Sequence, residues 1–243
     1  MFQFFVEPGQ ITAQEAEITG GDVNHIRNVL RMKAGEQVRI SDQQGQDFLC
    51  RIEKLEESRI LLRIQEKCQG TEPPVKITLF QGLPKGDKME LVIQKGVELG
   101  ASEIVPVAMQ NCVVKLDHKR AEHKRARWQA IAESAAKQSK RSLVPEVRPV
   151  CTFSEAAAYA RELDVRLFPY EQERGMAHTR EVLQKVKKGD SVGIFIGPEG
   201  GFSAGEVESI RHEMEIISLG NRILRTETAG LAALAMLLYE VEE

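Results

Sequence analysis

Hydrophobic residues recur at every second position in Arg59-Ile60-Leu61-Leu62-Arg63-Ile64, so Ile60, Leu62 and Ile64 share one face of a strand. Residues 37–41 and 48–55 flank a turn near Gly45 and have the pattern of a β-hairpin. One helix breaks this β-rich stretch. Asp22 stands where an N-cap would open it, the run continues to about Lys33, and Ile26, Val29 and Leu30 are placed to face inward. Short strands with a single helix predict a small barrel over residues 1–70. The segment Cys68-Gln69-Gly70-Thr71-Glu72-Pro73-Pro74 ends it, because paired prolines stop regular structure and favour an extended chain.

From Val75 the pattern changes to alternating strands and helices. Strands are expected at 75–81, 103–108, 164–170, 191–196 and 215–219. Helices are expected at 87–99, 116–139, 152–162, 180–188 and 204–214, and over the apolar run 229–241. Asp87 with Glu90, Thr152 with Glu155 and Ser203 with Glu206 each have the spacing of a capping box. This alternation predicts an α/β domain over residues 75–243, a mainly parallel sheet flanked by helices.

Composition adds bounds rather than chemistry. A chain of 243 residues, 42% hydrophobic and 28% charged, suits an ordinary soluble protein that buries a core without staples. The net charge of -3 points to no partner, but the basic residues are unevenly spread. Between Lys115 and Arg141 there are nine Lys and Arg against three acids. That excess is too large for balanced i, i+4 pairing, and phosphate binding is preferred over a solvated face. Lys124, Arg125, Arg127 and Arg141 are the central candidates. Lys85 and Lys88, with Arg27, Arg31 and Lys33 on the first helix, extend the patch.

The four cysteines are far apart and form no C-x-x-C, so reduced thiols in a cytosolic protein are expected. The five histidines form no H-x-x-x-H, and no metal site is expected. The N-terminus lacks the basic flank and apolar length of a signal peptide. Residues 229–241 fall short of the ~20 needed to span a bilayer.

Two loops carry the candidate chemistry. Gly197-Pro198-Glu199-Gly200-Gly201-Phe202-Ser203 joins a strand to a helix, where glycines let the backbone approach a ligand and helix N–H groups are free. A tight turn is the plainer alternative. Leu219-Gly220-Asn221-Arg222-Ile223-Leu224-Arg225-Thr226-Glu227-Thr228-Ala229 also joins a strand to a helix, and that helix is markedly apolar. Its charges must be paired or face a cleft, so an Arg225–Glu227 pair without chemistry is the alternative here. Ligands of open α/β sheets bind at the carboxyl ends of the strands, so both loops are expected to form one pocket. No G-x-G-x-x-G, G-x-x-x-x-G-K-[ST] or G-x-S-x-G is present, which counts against a Rossmann or P-loop enzyme and against a hydrolase.

These two loops, with Gln94-Lys95-x-x-Glu98-Leu99-Gly100 and the region 138–141, resemble the RsmE family over the whole chain. That family comprises bacterial methyltransferases of the SPOUT class acting on N3 of a uridine in 16S ribosomal RNA. The resemblance implies a trefoil-knotted domain preceded by a PUA-like barrel, a homodimer, and S-adenosylmethionine (SAM) as cofactor. It implies that Gly197, Pro198, Glu199, Gly200, Leu219, Gly220, Ile223, Leu224, Thr228 and Ala229 contact SAM, with Leu167 and Pro169 as further candidates. The N3 of uracil is a poor nucleophile until its proton leaves, so a cation or a base must assist. Arg225 is expected to stabilise the uracil anion or orient the base, and Glu227 to accept the proton. A non-catalytic RNA-binding assembly factor, and a knotted enzyme acting on ribose or transfer RNA, are the alternatives.

Overall fold

A computed structural model describes residues 1–242, which divide into two compact units. The first takes residues 1–72 together with 136–144; the second takes 73–135 and the described residues from 145 on.

The first unit is built on a five-stranded sheet of β1 (Phe2–Phe5), β2 (Glu15–Thr19), β3 (Gln37–Ser41), β4 (Asp47–Leu55) and β5 (Arg59–Cys68), in the order β1-β3-β4-β5-β2. Only β1 and β3 run parallel. The expected hairpin is β3–β4, and Gly45 in its turn has φ +96°, a conformation glycine adopts without strain. Period-two alternation sends Val38, Ile40, Ile52, Ile60 and Leu62 into one core. Two register shifts along β4 and β5 bend the ladder.

The expected helix at 22–33 is shorter and differently wound. The α-helical turn α1 (Gly21–Asn24) passes into a π turn over His25–Val29, in which Leu30 N–H bonds to His25 O at 2.9 Å. The wider turn rotates the side chains. Ile26 is buried as expected, whereas Val29 faces solvent at 62% exposure. Asp22 is not the cap. Its carboxylate pairs with Lys137 at 3.0 Å, and Gly20 occupies the N-cap position.

The second unit holds β6 (Lys76–Gly82), α2 (Lys88–Glu98), β7 (Glu103–Ala108), α3 (His118–Ser139), β8 (Glu146–Val147), β9 (Cys151–Thr152), α4 (Phe153–Ala160), β10 (Val165–Pro169), α5 (Ala177–Leu183), β11 (Ser191–Ile196), α6 (Ala204–Ile210), β12 (Glu215–Ile217) and α7 (Thr226–Val241); the last residues of α3 belong to the first unit. The strand order is β12-β10-β11-β6-β7-β8, with β9 also on β7, and every pairing is parallel. The central strands β6 and β11 are buried along almost their whole length because both of their faces are covered. Phe80 and Phe195 stack at 4.2 Å between them.

Two of the three capping boxes form. Thr152 and Ser203 accept the N–H of Glu155 and Glu206, and those glutamates reach back to the cap N–H. The third does not. Asp87 makes no side-chain cap bond, and Glu90 turns to Arg127 at 2.8 Å.

Candidate functional site

The loop after β11 and the loop after β12 meet. Together with Pro169 and Tyr170 at the end of β10 and Lys88 at the start of α2, they enclose a cavity of about 380 Å³. Pro198 and Ile223 both line it. The three strands concerned are adjacent and parallel, so their carboxyl ends open on one edge of the sheet.

Local contacts hold each loop in shape. Gly200 and Gly201 present their carbonyls to Asn111 Nδ2 at 3.1 and 3.2 Å. Glu206 accepts Gln110 N–H at 2.8 Å, besides closing its own capping box. Gly82 lies so close beneath Pro198 that a Cβ there would stand 2.7 Å from Pro198 N. In the second loop, Thr179 brackets Ser218, donating to its carbonyl at 2.9 Å and accepting its N–H at 3.0 Å. Gly220 follows with φ +107°, which a side chain would strain.

Thr226 joins the two loops, a role no sequence pattern pointed to. Its buried hydroxyl donates to Gly197 O at 2.6 Å and accepts Gln81 Nε2 at 2.9 Å. The final helix is thus tied at its first residue to both the first loop and the end of β6. A threonine there reads as an ordinary helix start, so no local signal marks it.

Most of the expected cofactor residues converge. Pro169, Gly197, Pro198, Glu199, Leu219, Gly220, Ile223, Leu224 and Ala229 line the cavity, and so does Arg225. Three do not. Leu167 is fully buried in β10, paired with Ile194, because the sheet core claims it. Gly200 turns toward Asn111, where a Cβ would meet Asn111 Cβ at 2.9 Å; its glycine serves packing. Thr228 is exposed on the first turn of α7, off the wall. Tyr170, Glu171 and Glu173 line the cavity without having been expected, and Phe202 and Arg222 line it from within the two expected loops.

The charges are arranged otherwise than the sequence suggested. Glu227 pairs with Lys88 at 3.2 Å and not with Arg225. Glu199 pairs with the same lysine at 3.1 Å and accepts Lys85 N–H. Burial works against the charge on both glutamates, yet hydrogen bonds and the nearby cations outweigh it. For Glu199 these are Lys85 N–H and Lys88; for Glu227, its own N–H, Lys88 and Arg225. Both carboxyls are held below the usual range. Glu227 Oε2 is buried, and its partner is the Lys88 ammonium at 3.2 Å rather than an aligned hydrogen bond. Lys88, expected among the phosphate-binding cations, belongs to this cavity instead.

The other expected RNA contacts divide. Arg141 is 2% exposed and locked to Glu72 at 2.9 Å, so it presents no face to a phosphate. Arg125 donates to Val147 O at 3.0 Å, and Arg127 is the partner of Glu90. Lys124 sits 5.8 Å over the Trp128 ring. Lys85 is exposed, as is Arg31, whose φ is +54°. Arg27 is exposed and donates to Glu56 O and Glu57 O. Among the described residues no group of three His, Cys, Asp or Glu side chains is placed to hold a metal ion. Burial pushes the thiols of Cys50 and Cys151 up to about 12 and about 11, so neither is a nucleophile at neutral pH.

Comparison with known proteins gives this geometry a family. Residues 71–238 match the RNA methyltransferase domain, and residues 18–65 the RNA methyltransferase PUA domain. The ribosomal RNA small subunit methyltransferase E of Bacillus subtilis is 38% identical over 250 aligned positions, covering 100% of this chain and 98% of the relative. The crystal structure of a ribosomal RNA small subunit methyltransferase E from Neisseria gonorrhoeae bound to S-adenosyl methionine is similar at 32% identity and a TM-score of 0.81, over 98% of this chain and 96% of that one. A protein from Legionella pneumophila, solved with the bound cofactor SAM, is similar at 31% identity and a TM-score of 0.82, over 97% of this chain and 96% of the other. A two-loop cavity at the strand ends of the matched domain, with identity running the full length of the relatives, leads to one conclusion: this chain belongs to the ribosomal RNA small subunit methyltransferase E family.

Proposed function

We propose that the protein transfers a methyl group from SAM to N3 of a uridine in 16S ribosomal RNA. The carrying observation is that Pro198 and Ile223, from loops in different parts of the sequence, line one cavity. Its volume of about 380 Å³ falls within the ordinary range of small-ligand sites. The wall fits a donor with a flat heterocycle and a charged tail. Ile196, Leu219 and Leu224 supply apolar surface, and the acids Glu171, Glu173 and Glu199 are matched by Lys88, Arg222 and Arg225. SAM, when bound, supplies an activated methyl group on a sulfonium.

The chain's own residues do the rest. The loops at Gly197–Gly201 and Leu219–Leu224 offer main-chain groups to orient the donor. Arg225, exposed on the cavity rim, steadies the uracil as it becomes an anion. Glu227, behind the cavity wall with its carboxylate paired to Lys88, receives the N3 proton. The target base must be unstacked to reach this edge. Cations along α3 and on the first unit hold RNA phosphates, which makes binding strongly salt-dependent.

The trefoil knot belongs to the same reading. It is supported by the course of the last segments: β12 lies at the sheet edge, yet α7 packs on β6 and β11, further in. So does a homodimer, supported by Leu91 on α2 and Tyr239 on α7, exposed at 43% and 80% on two helices that pack together. The site of action is the cytoplasm, on a small ribosomal subunit or its precursor. Mass mapping of 16S RNA treated with the purified protein and SAM tests the proposal. N3-methyluridine at one position is expected. A ribose-methylated product, a transfer RNA product or no product would overturn it.

A further inference from the structure

Lys88 stands in an unfavourable place for a cation. It is the first residue of α2, where free N–H groups and the helix dipole disfavour positive charge. Its ammonium lies 3.1 Å from Glu199 Oε1 and 3.2 Å from Glu227 Oε2. Glu199 comes from the loop after β11 and Glu227 from the first turn of α7, so three separate segments meet on one nitrogen. The side chains of Lys88, Glu199 and Glu227 are only 33%, 25% and 15% exposed, which shields the cluster from full solvent screening. Without the lysine, two carboxylates would face each other across the junction of the two loops.

We propose that Lys88 is a positioning residue for methyl transfer, clamping Glu199 and Glu227 so that the two cavity loops keep one relative placement. The inference rests on the function proposed above. It replaces a phosphate contact with an internal tie. The charged groups around the clamp are few. Glu199 and Glu227 face Lys88 directly, Arg225 acts on Glu227 from the preceding turn, and Lys85 reaches Glu199 through its N–H. On α2 itself, Glu90 is taken by Arg127. Lys88 therefore sets the charge state of the pair, and its loss lets both glutamates take up protons at higher pH.

The test compares the wild type with Lys88→Met, Lys88→Arg and Glu199→Gln. Folding is followed by circular dichroism, SAM affinity by calorimetry, and methyl transfer to small-subunit RNA across pH. Lys88→Met is expected to bind SAM about tenfold more weakly, ~1.4 kcal/mol. The acid limb of its rate profile should move to higher pH, with RNA affinity unchanged. Lys88→Arg should restore most of both. Glu199→Gln leaves Lys88 to Glu227 alone and should move the acid limb the other way, which keeps the test alive if Lys88→Met does not fold. Unchanged SAM affinity and an unmoved acid limb in folded variants would overturn the clamp, as would a loss of RNA affinity alone. A wild type that neither binds SAM nor methylates RNA would overturn the functional reading beneath it; an active wild type with unaffected variants would overturn only the clamp.

Discussion

At the scale of single residues, the site depends on side chains whose partners are distant in sequence. Thr226 is the clearest. Its hydroxyl serves Gly197 O and Gln81 Nε2 at once. Thr226→Val keeps the shape and removes both bonds, leaving Gly197 O without this donor. The expected cost is about 1–3 kcal/mol, read as a lower thermal midpoint together with weaker SAM binding; an unmoved midpoint would make the tie dispensable. Arg225 is different, because it is exposed and no ion pair with Glu227 holds it. Arg225→Ala should abolish methyl transfer while calorimetry finds most SAM affinity intact. Full activity would remove Arg225 from the chemistry.

At the scale of elements, the loop after β11 is shaped by what lies under it. Gly82 ends β6 directly beneath Pro198. Gly82→Ala pushes a methyl group into backbone and should cost about 1–3 kcal/mol in stability, with SAM binding lost first because the first loop must shift. The basic helix α3 is less uniform than its charge suggests. Arg125 and Arg127 are spent on Val147 O and Glu90, whereas Lys119 on the helix and Lys115 just before it are exposed. Reversing Lys115, Lys119 and Lys124 to Glu should weaken RNA binding. Its salt dependence should flatten by about 0.7 in logarithmic slope for every phosphate no longer neutralised. SAM affinity should hold. Unchanged RNA affinity would return α3 to a plain solvated face.

At the scale of the whole molecule, two properties can be checked. Leu91→Glu with Tyr239→Glu should shift the sedimentation coefficient from dimer to monomer; a wild type already monomeric would end the dimer proposal. The second property is acid stability. The carboxyls of Glu155 and Asp164 are held below their ordinary values, by the Thr152 N–H and the Ser191 hydroxyl respectively. Those of Glu199 and Glu227 are held down as well, despite burial. A depressed carboxyl stabilises the fold above its unfolded pKa and loses that contribution as pH falls through the folded one. The thermal midpoint should therefore be flat from neutral pH toward the ordinary glutamate value of 4.5 and drop below it.

Much of the architecture was readable along the chain. The period-two runs at 37–41 and 59–64, the capping boxes at Thr152 and Ser203, and the glycine turns at 197–201 and 220 are local signals, and each formed as local physics requires. The tertiary structure decided the rest. It buried Arg141 against Glu72, drew Leu167 into the sheet, spent Gly200 on Asn111 and moved Lys88 from the RNA patch to the cavity. Lys88 and Glu199 are 111 positions apart, and Gln81 and Thr226 are 145 apart. Periodicity and capping act over a few residues, so they place elements but not the pairs those elements bring together. Whether a charged residue meets a phosphate, a carboxylate or solvent is settled only when the sheet closes and distant loops compete for the same partners.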